Sequence, residues 1–119
     1  MAVRVGRVYD ELAPDDGLRV LVDRLWPRGM RKDDARIDLW AKDVAPSTEL
    51  RRWYGHDPAK SAEFAKRYRA ELESEPAARI LGDLVARARD SGVMLLTATK
   101  DLELSQARVL RDVIADSLD

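Results

Sequence analysis

A small α/β domain, layered, with a short and mostly parallel sheet flanked by helices, is the fold this sequence predicts. Three observations carry that expectation. Short apolar runs at Val3–Val8, Leu18–Asp23 and Val93–Thr97 read as strands. Helical patterns fill the chain between the second and third runs, and another follows the third, an order that favours at least one parallel pair. With 119 residues, 45% of them hydrophobic, the chain can build one real core, so a single domain over 1–119 is expected.

Each element has a local reason. Val3–Val8 is rich in β-branched residues, and Pro14-Asp15-Asp16-Gly17 is a turn. Leu18–Asp23 is nearly continuous in apolar residues, which suggests cover on both faces. Trp26-Pro27-Arg28-Gly29 ends it, because proline cannot donate to a ladder and glycine permits a turn. Met30 to Ala45 admits two readings. One is a helix capped by Asp33 or Asp34 that aligns Ile37, Trp40 and Val44; the other is a short strand near Ala41–Val44. After Pro46, Ser47 caps a helix with Leu50 and Trp53 facing inward and Gly55 as its stop. Asp57-Pro58 starts the next, with an acidic cap and proline at the first helical position. Phe64, Tyr68 and Leu72 form its buried stripe, and Glu63 can pair with Arg67 on its wet face. Ser74-Glu75-Pro76 opens a further helix with Ile80, Leu81, Leu84, Val85 and Ala88 inward, and Gly92 closes it. Leu104, Ala107, Leu110, Ile114 and Leu118 repeat at helical spacing to the end.

A right-handed crossover would set the carboxyl ends of the second and third predicted strands on one edge. The loop at Arg24–Arg28 would then stand beside the loop at Thr99–Asp101. Ligands of open α/β sheets bind at this edge.

The composition excludes several classes of function. Lys and Arg total 21 against 22 Asp and Glu, so no net field draws in nucleic acid or an anionic membrane, and strong nonspecific nucleic-acid binding is not expected. Without cysteine there is no disulfide and no thiolate metal site, which fits a reducing compartment. His56 is the sole histidine, so one chain cannot form a multi-histidine metal site, and no metal ligand is assigned. No stretch approaches the roughly 18 apolar residues of a membrane span. The segment Met1–Arg7 lacks the apolar core of a secretion signal. A cytoplasmic protein without membrane contact is the expectation. Walker loop, dinucleotide fingerprint, zinc spacing and nucleophile elbow are all missing, so the cofactor, if any, is unknown.

Arg24, Arg28, Arg31 and Lys32 lie close together with no acid between Arg24 and Lys32. Arginine presents a planar fork that suits carboxylate or phosphate. Arg24 and Arg28, joined by Lys100 from the facing loop, are candidate ligands of an anion, with Trp26 as an aromatic wall. Asp23, His56 and Asp101 are the candidate acid–base groups nearby. The structural alternative is equally concrete. Arg24 would be buried against Asp23, Glu49 or Asp101, Trp26 would plug the sheet edge, and His56 would cap or face solvent in a turn between helices. Arg31 and Lys32 are solvated in either case. The pairs Asp15-Asp16 and Asp33-Asp34 suit turns and caps better than a hard cation.

Three functions remain open. The first is a site for a small phosphorylated or carboxylated ligand, with or without catalysis. The second is a module for nucleic acid or a nucleotide-bearing partner, using phosphate contacts and stacking on Trp26. The third is a homodimer formed through an aromatic patch of Trp40, Trp53 and Tyr54, whose alternative role is core packing. The first is favoured, as a ligand site that leaves open whether it is also a small enzyme.

Val20-Leu-Val-Asp-Arg-Leu-Trp-Pro-Arg-Gly29, Trp40, Ala45-Pro-Ser-Thr-Glu-Leu-Arg51, His56-Asp-Pro58, Phe64 to Leu72, Leu95-Leu96 and Lys100-Asp101 follow one another in a pattern that resembles the YeaO-like branch of domain of unknown function (DUF) 488. The resemblance runs from about Val8 to Leu118. It implies a single-domain α/β protein, typically prokaryotic and intracellular, and it implies no reaction. Wider relatives carry an Asp-x-Arg signature after an equivalent strand, which directs attention to Arg24 and its neighbours. The chain also departs from the branch. Thr97 stands where relatives often have tyrosine, and Ser105-Gln106 where they have an Asn-His pair. Both changes remove titratable groups, which weakens catalysis more than binding.

Overall fold

The computed structural model describes residues 2–118; Met1, part of the segment read for a secretion signal, and Asp119 lie outside the described residues. Strands β1 (Val3–Arg7), β2 (Leu18–Leu21), β3 (Leu39–Trp40) and β4 (Val93–Thr97) form one sheet in the order β1-β4-β2-β3. All of its pairings are parallel. The last strand in sequence is therefore an inner one: Val93 is in register with Val3 on one side and Leu18 on the other. Helices α1 (Thr48–Tyr54), α2 (Ser61–Glu71) and α3 (Ala77–Asp90) lie between β3 and β4, and α4 (Gln106–Ser117) follows β4.

Side chains alternate across the strands and fill two cores. Val3, Val20, Val22, Val93 and Leu95 pack with the helices around Phe64, Tyr68, Leu84, Leu110 and Ile114. Leu21 and Leu96 point the other way, onto Val8, Met30, Trp26, Ile37 and Trp40. Among the described residues no helix contributes to this second cluster; the long connection between β2 and β3 covers it. Cover on both faces explains why β2, apart from Arg19, and β4 read as nearly continuous apolar runs.

That connection is where the expected helix over Met30–Ala45 does not form. Asp34 accepts from the backbone N–H of Arg36 at 2.9 Å, closing a local turn instead of capping a helix. Ile37 and Trp40 are spent on the sheet face, and the alternative strand forms two residues earlier than Ala41, as β3. Lys42–Val44 is a 3-10 turn. Buried Arg19 pins the connection: its Nε donates to the carbonyl of Arg36 at 2.6 Å, and its guanidinium pairs with Asp16 and donates to the carbonyl of Asp10 at 3.2 Å.

The helix boundaries follow from their caps. Ser47 Oγ accepts from Leu50 N–H at 3.1 Å, and Gly55 leaves α1 in the left-handed conformation at φ 53°. Asp57 caps a short 3-10 turn at Pro58–Lys60 that leads into α2. Ser105 Oγ accepts from Arg108 N–H at 3.3 Å at the head of α4. Within α1 the inward aromatic is Tyr54, not Trp53. Tyr54 stacks on Phe64 with ring centroids 4.0 Å apart, whereas Trp53 lies half-buried beneath Lys60 and Arg67. Trp40 belongs to the other face of the sheet, so Trp40, Trp53 and Tyr54 do not share one patch. No helix among the described residues is long and apolar enough to cross a membrane.

Candidate functional site

The carboxyl ends of β2 and β4 lie side by side, as adjacent parallel strands require. A pocket of about 540 Å³ opens there. Asp23, Arg24 and the turn through Trp26 and Arg28 line one side, and Ala98 and Thr99 line another. Arg51, Arg52 and Tyr54 come from α1, His56 from the turn that follows it, and Gln106 from the first turn of α4. A larger depression of about 680 Å³ lies between β3 and α3, but its charged residues, Asp83, Arg87 and Asp90, are of mixed sign and do not form a single-charge cluster.

Asp23 is half-buried two residues past β2 and is held by three donors. Its Oδ1 accepts from Thr97 Oγ1 at 2.7 Å and from Gln106 Nε2 at 2.5 Å; its Oδ2 accepts from Ala98 N–H at 2.8 Å. Burial pushes its pKa above the ordinary carboxylate value, and this outweighs those hydrogen bonds and the nearby Arg51 charge, which all favour the carboxylate. Thr97 and Gln106 are neutral side chains that hold Asp23 in place.

Arg24 is not paired with Asp23, Glu49 or Asp101. It donates to the carbonyls of Ala45 at 2.9 Å and Pro46 at 3.4 Å and stands 4.0 Å from Asp43, with 33% of its side chain exposed. It clamps the approach to α1 and still borders the pocket. Arg28 and Arg52 are exposed, and among the described residues neither guanidinium has a hydrogen bond or ion pair. Arg51 Nε is buried without a hydrogen-bond partner, so the protein leaves part of this arginine's donor capacity unspent.

Trp26 donates from its indole to the carbonyl of Met30 at 2.9 Å and meets Trp40 edge-to-face at 5.3 Å. It therefore serves both as pocket wall and as cover for the sheet. Lys32, exposed as expected, also has its ammonium 4.6 Å from the centroids of Trp26 and Trp40. His56 lies at the pocket in a left-handed conformation, φ 55°, edge-on to Tyr54 at 5.7 Å. Lys100 and Asp101 do not line the pocket. Asp101 instead accepts from the N–H of Glu103 at 3.1 Å and caps a 3-10 turn.

Among the described residues Asp23 is the one carboxylate that lines the pocket, together with several arginines. That donor set suits an anion and is poor for a cation. Sequence reasoning did not assign Arg51 or Arg52 to the site, and it singled out Thr97 and Gln106 only as departures from the resembled family, not as partners of Asp23. Consecutive arginines in a helical pattern read as a wet face, and only the topology turns them toward the strand ends.

The sequence profile of the inactive DUF488-N3 subclade matches residues 2–119. Uncharacterised protein YeaO of Escherichia coli is 40% identical over 113 residues, which is 94% of this chain and 96% of that protein. The chain is a YeaO-like DUF488 protein. An uncharacterised Mycobacterium tuberculosis protein (strain H37Rv) is 52% identical over 112 residues, 94% of this chain and 92% of the relative. A Mycobacterium bovis protein, also uncharacterised, matches to the same extent. No solved structure matches this DUF488 chain.

Proposed function

We propose that this DUF488 protein binds a small anionic ligand, phosphorylated or carboxylated, in the pocket at the strand ends, and does so without catalysis. The observation that carries the reading is the convergence of Arg28, Arg51 and Arg52 on one pocket from two distant segments, with Arg24 beside them. Arg28 and Arg52 retain free hydrogen-bonding forks that fit an oxyanion. Three features favour binding over reaction. Asp23 is engaged by Thr97, Ala98 and Gln106, the two titratable positions of the YeaO-like pattern are neutral here, and the matching subclade is described as inactive.

Titration calorimetry with inorganic phosphate, sugar phosphates and small carboxylates tests this. Binding is expected to weaken at least about tenfold in Arg28→Ala/Arg52→Ala, since a hydrogen bond to a charged group is worth roughly 1.5–3 kcal/mol. Neither side chain holds the fold together, so the thermal midpoint should stay near that of the unmodified protein. Unchanged affinity in the double variant rejects the site. A steep fall of affinity with salt for single-stranded oligonucleotides, exceeding that for the small anions, would favour a nucleic-acid module instead.

A further inference from the structure

We infer that Asp23 selects what the pocket takes: a ligand with an anionic group at the arginine mouth and a hydroxyl or amino group at its inner end that donates to Asp23 Oδ2. The inference rests on the anion-binding reading above and adds the chemistry of the other end of the ligand. A carboxylate offers about four acceptor positions. The protein uses two on Oδ1, for Thr97 and Gln106, and one on Oδ2, for Ala98. The remaining position is on Oδ2, and Asp23 lines the pocket.

The placement of charge sets the direction of the ligand. Asp23 is half-buried, while Arg28 and Arg52 are exposed. An anionic group pushed inward would meet the Asp23 carboxylate, whose charge Arg51 already offsets, in a poorly hydrated place where like charges repel most. The same group at the mouth meets guanidinium forks. An apolar inner end would strip water from Oδ2 and return no hydrogen bond, which loses affinity. A donor at that end satisfies the carboxylate, and Pro46, Tyr54 and Phe64 supply apolar wall in the same pocket. Pockets built around a hydrogen bond reject the analogue lacking it far more strongly than apolar pockets reject a change of size. Phosphorylated polyols and sugars have this layout; simple alkyl phosphates do not.

The test is a matched pair of probes on the full chain. Ribose 5-phosphate and tetrahydrofurfuryl phosphate share the phosphate and a five-membered ring, and only the first carries ring hydroxyls. By calorimetry ribose 5-phosphate should bind at least about tenfold more tightly. In Asp23→Ala, which leaves no side-chain acceptor at this place, the preference should shrink to near one, while tetrahydrofurfuryl phosphate still binds. Equal affinities in the unmodified protein overturn the role of Asp23 and leave the anion site standing. A preference that survives Asp23→Ala overturns it as well. Failure of both probes and of inorganic phosphate to bind overturns the anion site and this inference together. Should Asp23→Ala fail to fold, the matched pair on the unmodified protein still decides.

Discussion

Gln106, in the first turn of α4, donates its side-chain amide to the Asp23 carboxylate at 2.5 Å across 83 positions of sequence. With Thr97 and Ala98 it fixes the end of β2 against the end of β4. Gln106→Leu should cost about 1–3 kcal/mol, because a half-buried carboxylate loses one of three donors. Denaturant unfolding measures it. A change within experimental error would mean the contact contributes nothing net.

Asp23 also gives the fold a pH dependence of definite sign. Burial raises its pKa above the ordinary 3.8, so the folded protein holds this proton more tightly than the unfolded chain. The stabilisation is fully present below 3.8 and is lost as pH rises through the raised folded value. Asp23→Asn cannot titrate there. The stability of the unmodified protein minus that of Asp23→Asn should therefore fall as pH rises across this window and then level off. A difference that grows with pH would contradict the burial argument.

The acidic turn behaves in the opposite way. The Arg36 side chain first, and then its backbone N–H, hold Asp34 well down, at about 2. Its contribution is present above 3.8 and is lost as pH falls through about 2. A carboxyl titration followed by NMR should show a midpoint near that value, moving up toward 3.8 in Arg36→Ala. An ordinary midpoint in the unmodified protein would show that the turn is not closed in solution.

Arg19 and Asp16 form an ion pair with side chains only 3% and 7% exposed. Removing Arg19 takes the buried partner from Asp16, to which only Arg4 at 3.6 Å and the Ala13 N–H remain, and frees the carbonyls of Arg36 and Asp10. Arg19→Met is expected to cost roughly 3–5 kcal/mol, and Arg19→Met/Asp16→Ala to recover a large part of it. Thermal and denaturant unfolding of the set should show this non-additivity; two additive losses would mean the pair is not coupled.

Two glycines separate backbone conformation from space. Gly17 and Gly29 both have positive φ, 71° and 82°. A Cβ at Gly17 would collide with the Gly92 carbonyl, while one at Gly29 meets nothing within 4 Å. Gly29→Ala should cost about 1–2 kcal/mol for the left-handed backbone alone. Gly17→Ala should cost clearly more, and equal losses would mean that the β2 entrance relaxes freely.

Where sequence and structure agree, the signal was local. β2 and β4 are apolar runs, Ser47, Gly55 and Asp57 are caps, and the stripe of Phe64, Tyr68 and Leu72 needs only helical periodicity. Asp23, Arg24, Trp26, Arg28 and His56 do gather at one pocket, because strand ends and short turns place them. The chain between β2 and β3 was not legible, since Arg19, Leu21 and Leu96 decide its course from elsewhere in the sequence. Arg51 and Arg52 escaped for a similar reason: nothing local distinguishes an arginine facing a pocket from one facing water. Lys100 and Asp101 occupy the expected loop, but Asp101 is drawn into capping its own turn.

The strand order has a consequence for synthesis. β1 and β2 do not pair with each other; both pair with β4. A nascent chain that has emerged only through α3 therefore carries two strands whose common neighbour is still in the ribosome. Their open edges are the kind that invite wrong partners. The sheet closes only when Val93–Thr97 arrives, and the pocket, which needs Ala98, Thr99 and Gln106, comes later still. A messenger cut short before β4 would thus encode a product whose helices have only the short β2–β3 pair to rest on, suited to degradation rather than to partial function.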